Sequence, residues 1–227
     1  MRLFIVSDTH DCHERELALI SREAWRRHCE CIIHCGDLSN AHFGHRALGY
    51  LPLYVIRTRI NEDISNDVIK NLPANWHVLD DNDQQVLILN GLRIYVNHYL
   101  GIDVLKSNLG TPTTEAEILD IIERYRLRHG DEAATVLKHE ILGDFSATGK
   151  RTKVMPFELV DRIREKFGTV RYALFGHSHH QFYHVNRKMA LINPGAFDVD
   201  MNGIPKRSFA TIDTKTWDIV FSKVLTA

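Results

Sequence analysis

The first ten residues, MRLFIVSDTH (1–10), place an apolar run at residues 3–6 directly before Asp8 and His10. A short apolar run that is bounded by polar residues predicts a buried β-strand. Residues 14–28 follow, and their apolar side chains recur every three or four positions, which predicts a helix with one buried face. Because a strand, a polar loop and a helix in this order are typical of a parallel βαβ unit, the stretch indicates an α/β fold.

The same pattern returns in the next fifty residues. Residues 31–35 (CIIHC) form a second strand candidate that ends at Gly36-Asp37. Residues 53–56 (LYVI) form a third, which is followed by Asn61 and by a short helix that Pro73 must end. The repetition predicts a set of parallel strands in the first third of the chain.

From residue 86 onwards the pattern changes to paired strands. Residues 86–89 and 92–96 flank Asn90-Gly91, which is a strong hairpin signal. The stretch 171–223 is also mostly strand-like, and roughly residues 103–170 carry helical patterns instead. Together these observations predict a mixed α/β architecture with two sheets. We expect a single domain over residues 1–227, with a helical insertion at about 103–170.

The composition is that of an ordinary globular chain, with 227 residues of which 44% are hydrophobic and 25% charged. Lysine and arginine number 28 against 29 acidic residues, so no basic excess favours nucleic-acid or membrane binding. No apolar run approaches the ~18 residues of a membrane helix, and Asp8 comes too early for a secretory signal peptide. We therefore expect a cytoplasmic protein. The fourteen histidines draw attention to metal binding.

Metal-ligating residue types stand at five predicted strand ends. They are Asp8, His10, Asp37, Asn61, His98, His177 and His179. Because the carboxyl ends of parallel strands lie at one edge of an open α/β sheet, we expect these side chains to meet there. Within residues 176–179 (GHSH), an extended backbone would place both imidazoles on the same side. His34, inside the second strand candidate, is expected to be a hydrogen-bonded core residue rather than a ligand.

The donor chemistry of this set indicates two metal ions. Carboxylate oxygens together with imidazole nitrogens suit Mn, Fe, Zn, Ni or Co. The Asp37 carboxylate has two oxygens and can bridge two ions, and Gly36 before it allows a close approach of the backbone.

In this order, the motifs resemble those of the calcineurin-like metallophosphoesterases, and most closely the small bacterial and archaeal phosphodiesterase branch. The resemblance covers residues 8–179. It implies a four-layer α/β/β/α sandwich of two mixed β-sheets flanked by helices. It also implies two ligand sets that share the bridging Asp37: Asp8, His10 and His179 for one ion, and Asn61, His98 and His177 for the other.

Three features differ from the family pattern. Ile60 stands where the family usually has a glycine before Asn61, and Glu62 follows where some members carry a general-acid histidine. Tyr99-Leu100 follows His98 where the family often has Gly-His, so a second histidine near the substrate phosphate is missing. The helical insertion is also longer than a minimal member needs. The missing monoesterase-type histidine, together with the branch that the chain resembles, favours phosphodiesters.

The function expected from this resemblance is that of a dinuclear metal-dependent phosphoesterase, which hydrolyses phosphodiesters by means of a metal-bridging hydroxide. The expected catalytic residues are Asp37, Asn61 and His98. Asn61 and Arg59 are the expected substrate contacts, although Arg59 equally fits a solvated surface arginine. Two divalent metal ions are the expected cofactors, with Mn first and Fe, Ni, Zn or Mg left open.

Several alternatives stay open at this point. The chain could be a metal-dependent phosphomonoesterase or a nuclease, or a non-catalytic binding module of the same fold. The expected partner is a small phosphoester; nucleic acid is not favoured, no membrane is expected, and the sequence does not specify an oligomeric state.

Overall fold

The described part of the chain consists of two mixed β-sheets and three helices. The structure, a computed structural model, describes residues 1–10, 12–38, 46–57, 66–80, 86–98, 123, 126, 127, 131, 156–177, 179–186, 189–198 and 206–224. Within these ranges the helices are α1 (Glu14–Arg26), α2 (Asn66–Ile69) and α3 (Pro156–Phe167). The strands are β1 (Arg2–Val6), β2 (Cys31–His34), β3 (Leu53–Arg57), β4 (Trp76–Asp80), β5 (Val86–Leu89), β6 (Leu92–Val96), β7 (Tyr172–Leu174), β8 (Gln181–Asn186), β9 (Met189–Pro194), β10 (Ser208–Asp213) and β11 (Ile219–Lys223).

Each sheet combines a parallel centre with antiparallel strands. The first sheet has the order β11-β10-β1-β2-β3-β4, in which β1 to β4 are parallel neighbours and β10 and β11 are antiparallel. The second has the order β5-β6-β7-β9-β8, in which β6, β7 and β9 are parallel and both edge strands antiparallel. The parallel strands of both sheets are largely buried, as expected for strands that are covered on two faces.

The alternation of side chains along β1 shows how the first layers form. Phe4 and Val6 lie on one face, in an apolar cluster that includes Leu17 of α1. Leu3 and Ile5 lie on the opposite face, in a second cluster that the first sheet shares with the second. A strand in which four successive residues, 3–6, are apolar therefore lies between a helix layer and another sheet.

The second sheet repeats this arrangement on its own outer side. Ile94 of β6 and Leu174 of β7 belong to the cluster between the sheets. Their neighbours Tyr95 and Ala173 belong to a third cluster, which includes Ile163 of α3. The layers are therefore α1, first sheet, second sheet and α3, and the expected four-layer α/β/β/α sandwich is confirmed.

Most of the predicted elements are present, and one strand was missed. The hairpin of β5 and β6 turns at Asn90-Gly91, both with positive φ, as predicted. Strand β4 was not predicted; it pairs parallel to β3 and buries Trp76 and Leu79. Of the helical insertion predicted at 103–170, the structure describes α3 with Gly168 at its end and four isolated positions, and the remainder lies outside the described residues. Among the described helices, none has the length and apolar character that a bilayer crossing requires.

Candidate metal centre

Six of the seven predicted ligands follow four strand ends, which come from both sheets. Asp8 and His10 follow β1 and Asp37 follows β2 in the first sheet, whereas His98 follows β6 in the second. His177 and His179 follow β7, also in the second sheet. The sequence predicted that these strand ends meet at one rim. In the structure the carboxyl ends of strands from two stacked sheets form that rim, at the same end of the sandwich.

The first group of donor atoms comprises Asp8, His10 and His179, whose ligand atoms all lie within 4.8 Å of one another. The Nε2 atoms of His10 and His179 are 3.0 Å apart. They lie 3.9 Å and 3.3 Å, respectively, from Oδ1 of Asp8. The Asp8 side chain is fully buried, whereas those of His10 and His179 are 29% and 33% exposed, so this group opens to solvent on its histidine side.

The second group comprises Asp8, Asp37 and His98, and all three are buried. The Nε2 atom of His98 lies 3.1 Å from Oδ2 of Asp37 and 3.8 Å from Oδ1 of Asp8. Oδ2 of Asp37 also lies 3.8 Å from Nε2 of His10, so this carboxylate stands between the two groups. The ring of His177 packs edge-on against that of His98, with 5.4 Å between the centroids.

The backbone at the ligands is left-handed. The φ angles of five predicted ligands, Asp8, His10, Asp37, His177 and His179, lie between 34° and 72°. The prediction of an extended backbone at 176–179 is therefore wrong. Non-glycine residues in this region carry a strain of about 1–3 kcal/mol each, and such residues concentrate at functional sites. The left-handed φ angles end the extended course of the chain at these ligands.

Backbone hydrogen bonds hold two of these loops together. The Asp8 N–H donates to the Gly36 carbonyl at 3.1 Å. The N–H groups of Thr9 and His10 both donate to the Asp37 carbonyl, at 3.1 and 3.0 Å. These bonds connect the loop after β1 to the loop after β2, so the positions of the ligands in both loops depend on one another.

Glycine is required at Gly36, as the sequence indicated. Its φ is +100°, and a Cβ at this position would lie 2.7 Å from Nδ1 of His98. A similar close approach occurs at Gly176, where a Cβ would overlap Oγ of Ser7. The two sheets therefore come together at the site through positions without side chains.

The orientation of His98 presents one ring nitrogen to the site. Its Nδ1 lies 2.8 Å from the Cys35 carbonyl oxygen, which can only accept, so Nδ1 carries a proton and donates. Nε2 is then the atom directed at Asp37 and Asp8. A carbonyl bonded to the far nitrogen of an imidazole is the usual support of a metal-binding histidine.

The electrostatics of the site favour charged carboxylates. Burial alone would raise the pKa of Asp8, but its hydrogen bond with His179 and the charges of His98 and His179 hold that pKa well below the usual range. The backbone N–H of His177 also donates to both Asp8 oxygens, at 3.1 and 3.2 Å. Burial likewise opposes the charge on His98, yet the hydrogen bond with Asp37 and the charges of Asp8 and Asp37 raise its pKa to about 9.

The donor atoms fit a transition-metal ion. Ligand atoms that are bound ~2.0–2.2 Å from one ion lie about 3–4 Å from one another. The separations of 3.0 to 3.9 Å within the two groups match that requirement. Carboxylate oxygens mixed with imidazole nitrogens are the ligands that divalent manganese, iron, zinc and nickel accept.

Four further residues bear on the site: Asn61 and Arg59, which were predicted to belong to it, and His34 and Asn193, which support it. Asn61 and Arg59 lie outside the described residues. His34 is fully buried and hydrogen-bonded, as predicted, but its link to Thr9 beside the ligands was not foreseen. Asn193 was also missed as a support: its Nδ2 donates to the Gly176 carbonyl at 2.7 Å, directly before His177. The turn sequence Asn193-Pro194-Gly195 is the feature of the sequence that could have drawn attention to Asn193.

The fold and the site define an α/β sandwich with a candidate metal centre between its two sheets. The profile of the calcineurin-like phosphoesterase superfamily domain matches residues 1–217, and the chain therefore belongs to this superfamily. This membership supports a hydrolase that acts on phosphoesters. No curated protein matches the chain.

Solved structures agree with the fold. The chain is similar to a structure described as a novel archaeal phosphodiesterase, with 16% identity and a TM-score of 0.57, over 99% of this chain and 100% of that one. It is also similar to the protein TT1561 of Thermus thermophilus, with 12% identity and a TM-score of 0.54, over 98% of each chain. At these identities the similarity shows a shared fold.

Proposed function

We propose that this chain is a metal-dependent phosphodiesterase whose active site holds two divalent ions between the ends of β1, β2, β6 and β7. The observation that carries this proposal is the convergence of six carboxylate and imidazole side chains from four strand ends. Five of them form the two groups of donor atoms described above, and the sixth, His177, packs against His98. The short distances between Asp37 and both His10 and His98 connect those groups.

The distances support the first proposed ligand set, and the second rests also on the resemblance to the family. Asp8, His10 and His179 would hold one ion, since their donor atoms lie 3.0 to 3.9 Å apart. His98 and His177, with Asn61 as a further proposed ligand, would hold the other. Asp37 would bridge the ions, because its Oδ2 faces a histidine of each set. Mn²⁺ is the ion that we propose to test first.

Ions bound here would lower the pKa of a coordinated water to about 7 and neutralise the charge of phosphoryl oxygens. The chain's own residues prepare the site for this. Asp8 stays anionic at neutral pH because its pKa is depressed. His98 donates its Nδ1 proton to the Cys35 carbonyl oxygen in a hydrogen bond, which directs Nε2 towards Asp37. The exposed sides of His10 and His179 leave the solvent side of the site as the entrance for a small phosphoester.

The diester is preferred over the monoester on two grounds. Glu62 stands where some members of the family carry a general-acid histidine, and Leu100 stands where the family often has the histidine of Gly-His. The similar archaeal structure is also described as a phosphodiesterase, which makes a diester the first substrate to test. In the proposed reaction, water adds to phosphorus, the bond from phosphorus to one ester oxygen breaks, and the alcohol leaves with a proton.

The test compares bis(p-nitrophenyl) phosphate with p-nitrophenyl phosphate, with EDTA and then with Mn²⁺, in the wild type and in Asp37→Asn. We expect hydrolysis of the diester to require Mn²⁺ and to fall at least about 10²-fold in Asp37→Asn, because the bridging charge is lost. Asp161→Asn, which makes the same change on an exposed carboxylate of α3, should retain wild-type activity.

Each alternative has its own result. A clear preference for the monoester would overturn the diester while keeping the metal centre. No turnover of either ester in protein with two bound ions would indicate a non-catalytic binding module of this fold.

A further inference from the structure

His34 and Thr9 are two buried polar residues that lie beside the candidate metal centre and outside the predicted ligand set. His34 ends β2, Thr9 stands between Asp8 and His10, and both are fully buried. A buried imidazole and a buried hydroxyl require hydrogen-bond partners, so the direction of each bond between them can be worked out.

The bonds form a chain with one consistent direction. The Gly36 N–H can only donate, and it lies 3.2 Å from Nδ1 of His34, which must therefore accept. A neutral His34 then carries its proton on Nε2, which lies 3.1 Å from Oγ1 of Thr9 and donates to it. The Thr9 hydroxyl donates in turn to the Asp37 carbonyl at 3.2 Å. Burial lowers the pKa of His34 to about 4, so the imidazole is neutral at pH 7.

The chain ends at the carbonyl that joins the two ligand loops. The Asp37 carbonyl oxygen accepts from the Thr9 N–H, the His10 N–H and the Thr9 hydroxyl, at 3.0 to 3.2 Å. Asp8, His10 and Asp37 all have left-handed backbones at this point. An unfavourable backbone conformation persists only where surrounding contacts stabilise it. The hydrogen bonds of His34 and Thr9 supply part of that stabilisation.

We propose that His34 and Thr9 are positioning residues, which fix the loops of Asp8–His10 and Asp37 so that their side chains are oriented for metal before an ion arrives. This inference rests on the proposed metal centre. Neither residue belongs to the proposed ligand sets. They act on metal affinity through the backbone at Asp37, as outer partners of metal ligands commonly do.

The test measures Co²⁺ binding by metal-free protein, using titration calorimetry and the visible absorption spectrum of the bound ion. Thr9→Val keeps the shape of the side chain and removes the hydroxyl, whereas Thr9→Ser keeps the hydroxyl. We expect Thr9→Val to bind Co²⁺ about 10–100-fold more weakly with an altered spectrum. Thr9→Ser should restore both the affinity and the spectrum. Thr211→Val, at a buried threonine of β10 in the same sheet, controls for the substitution itself.

His34 provides a second pair of variants in case Thr9→Val does not fold. His34→Asn retains an acceptor near the Gly36 N–H but cannot reach Thr9, and it should weaken Co²⁺ binding to a similar degree. His34→Gln places an amide donor near the position of Nε2 and should recover part of the affinity. Thermal melting of every metal-free variant confirms that the binding measurements are made on folded protein.

The outcomes separate this inference from the proposed function. If the wild type takes up no Co²⁺, the metal centre itself is wrong, and the inference falls with it. If the wild type binds Co²⁺ while folded Thr9→Val and His34→Asn bind it with the same affinity and spectrum, the metal centre stands and the positioning role is refuted. A lower melting temperature with unchanged Co²⁺ binding would likewise reduce the network to a purely structural role.

Discussion

A single methyl group added at Gly36 should disable the candidate metal centre. In Gly36→Ala the new Cβ would lie 2.7 Å from Nδ1 and 2.8 Å from Cβ of His98. Ordinary van der Waals contact begins at 3.4 Å, so the imidazole would have to retreat by about 0.7 Å. His98 is fully buried, and its Nδ1 is tied to the Cys35 carbonyl at 2.8 Å, so the ring has little room to move.

The loss of stability expected for Gly36→Ala has two physical sources of similar size. Overpacking of a filled interior costs about 1–3 kcal/mol. A residue with a Cβ at φ +100° adds about 1–3 kcal/mol of backbone strain. Together we expect Gly36→Ala to lower the free energy of unfolding by about 2–6 kcal/mol, against a typical total of ~5–15 kcal/mol. The displaced His98 should also weaken metal binding, because its Nε2 would leave its place 3.1 Å from Asp37.

Gly91→Ala separates these two sources. Gly91 has φ +78°, and a Cβ there would meet nothing within 4 Å, so this variant carries the strain without the clash. The assays are urea unfolding of metal-free protein and calorimetric titration with Mn²⁺. We expect Gly36→Ala to lose at least about 1 kcal/mol more than Gly91→Ala, and only Gly36→Ala to bind Mn²⁺ more weakly. Equal losses in both variants, with Mn²⁺ affinity unchanged, would refute the reasoning.

Two further predictions concern the supports of the site. The folded-state pKa of His34, about 4, lies below its ordinary 6.5, so the unfolded chain binds more protons between these values. Stability of the metal-free protein should therefore fall by about 3 kcal/mol from pH 6.5 to pH 4 through this group. In His34→Asn the loss, measured by urea unfolding at several pH values, should be smaller by that amount, and identical slopes would contradict the assignment. Asn193→Ala removes the donor to the Gly176 carbonyl and the acceptor of the Gly195 N–H, at 2.7 and 2.8 Å. It should lower the free energy of unfolding by about 2–4 kcal/mol in the same assay, and a change below about 1 kcal/mol would show that water replaces these bonds.

The elements that the sequence predicted well are those with a strong local signal. The apolar run at residues 3–6 and the hairpin at Asn90-Gly91 depend on burial and on turn chemistry within a few residues. Strand β4 (Trp76–Asp80) was missed because His77 interrupts its apolar residues Trp76, Val78 and Leu79, which leaves too short an apolar run to recognise. Its place in the sheet follows from pairing with β3, which is a long-range contact.

The sequence also did not predict the parallel pairing of strands in the second sheet. Strand β7 lies between β6 and β9, parallel to both, although β6 and β7 are about eighty residues apart in the chain. A tight turn in the sequence predicts that two successive strands pair in the antiparallel direction. A parallel pair needs a long crossover connection, so no turn sequence beside the strands indicates the pairing.

The sequence alone was enough to find the candidate ligands, because a polar residue directly after a buried strand is visible in the local pattern. Asp8, His10, Asp37 and His98 were selected in this way, as were the histidines of 176–179. Only the tertiary structure decided how they face one another. The stacking of two sheets with their carboxyl ends together brings residues about 170 positions apart to within hydrogen-bond distance, as His10 and His179 show.

The direction of each ligand side chain likewise depends on tertiary contacts. An isolated strand end would continue in an extended backbone, which is what the sequence suggested for His177 and His179. In the folded chain Asp8, Asp37 and both histidines turn left-handed, and hydrogen bonds between separate loops hold part of that conformation in place. Local preference opposes these φ angles, so tertiary contacts between the sheets and the loops must stabilise them.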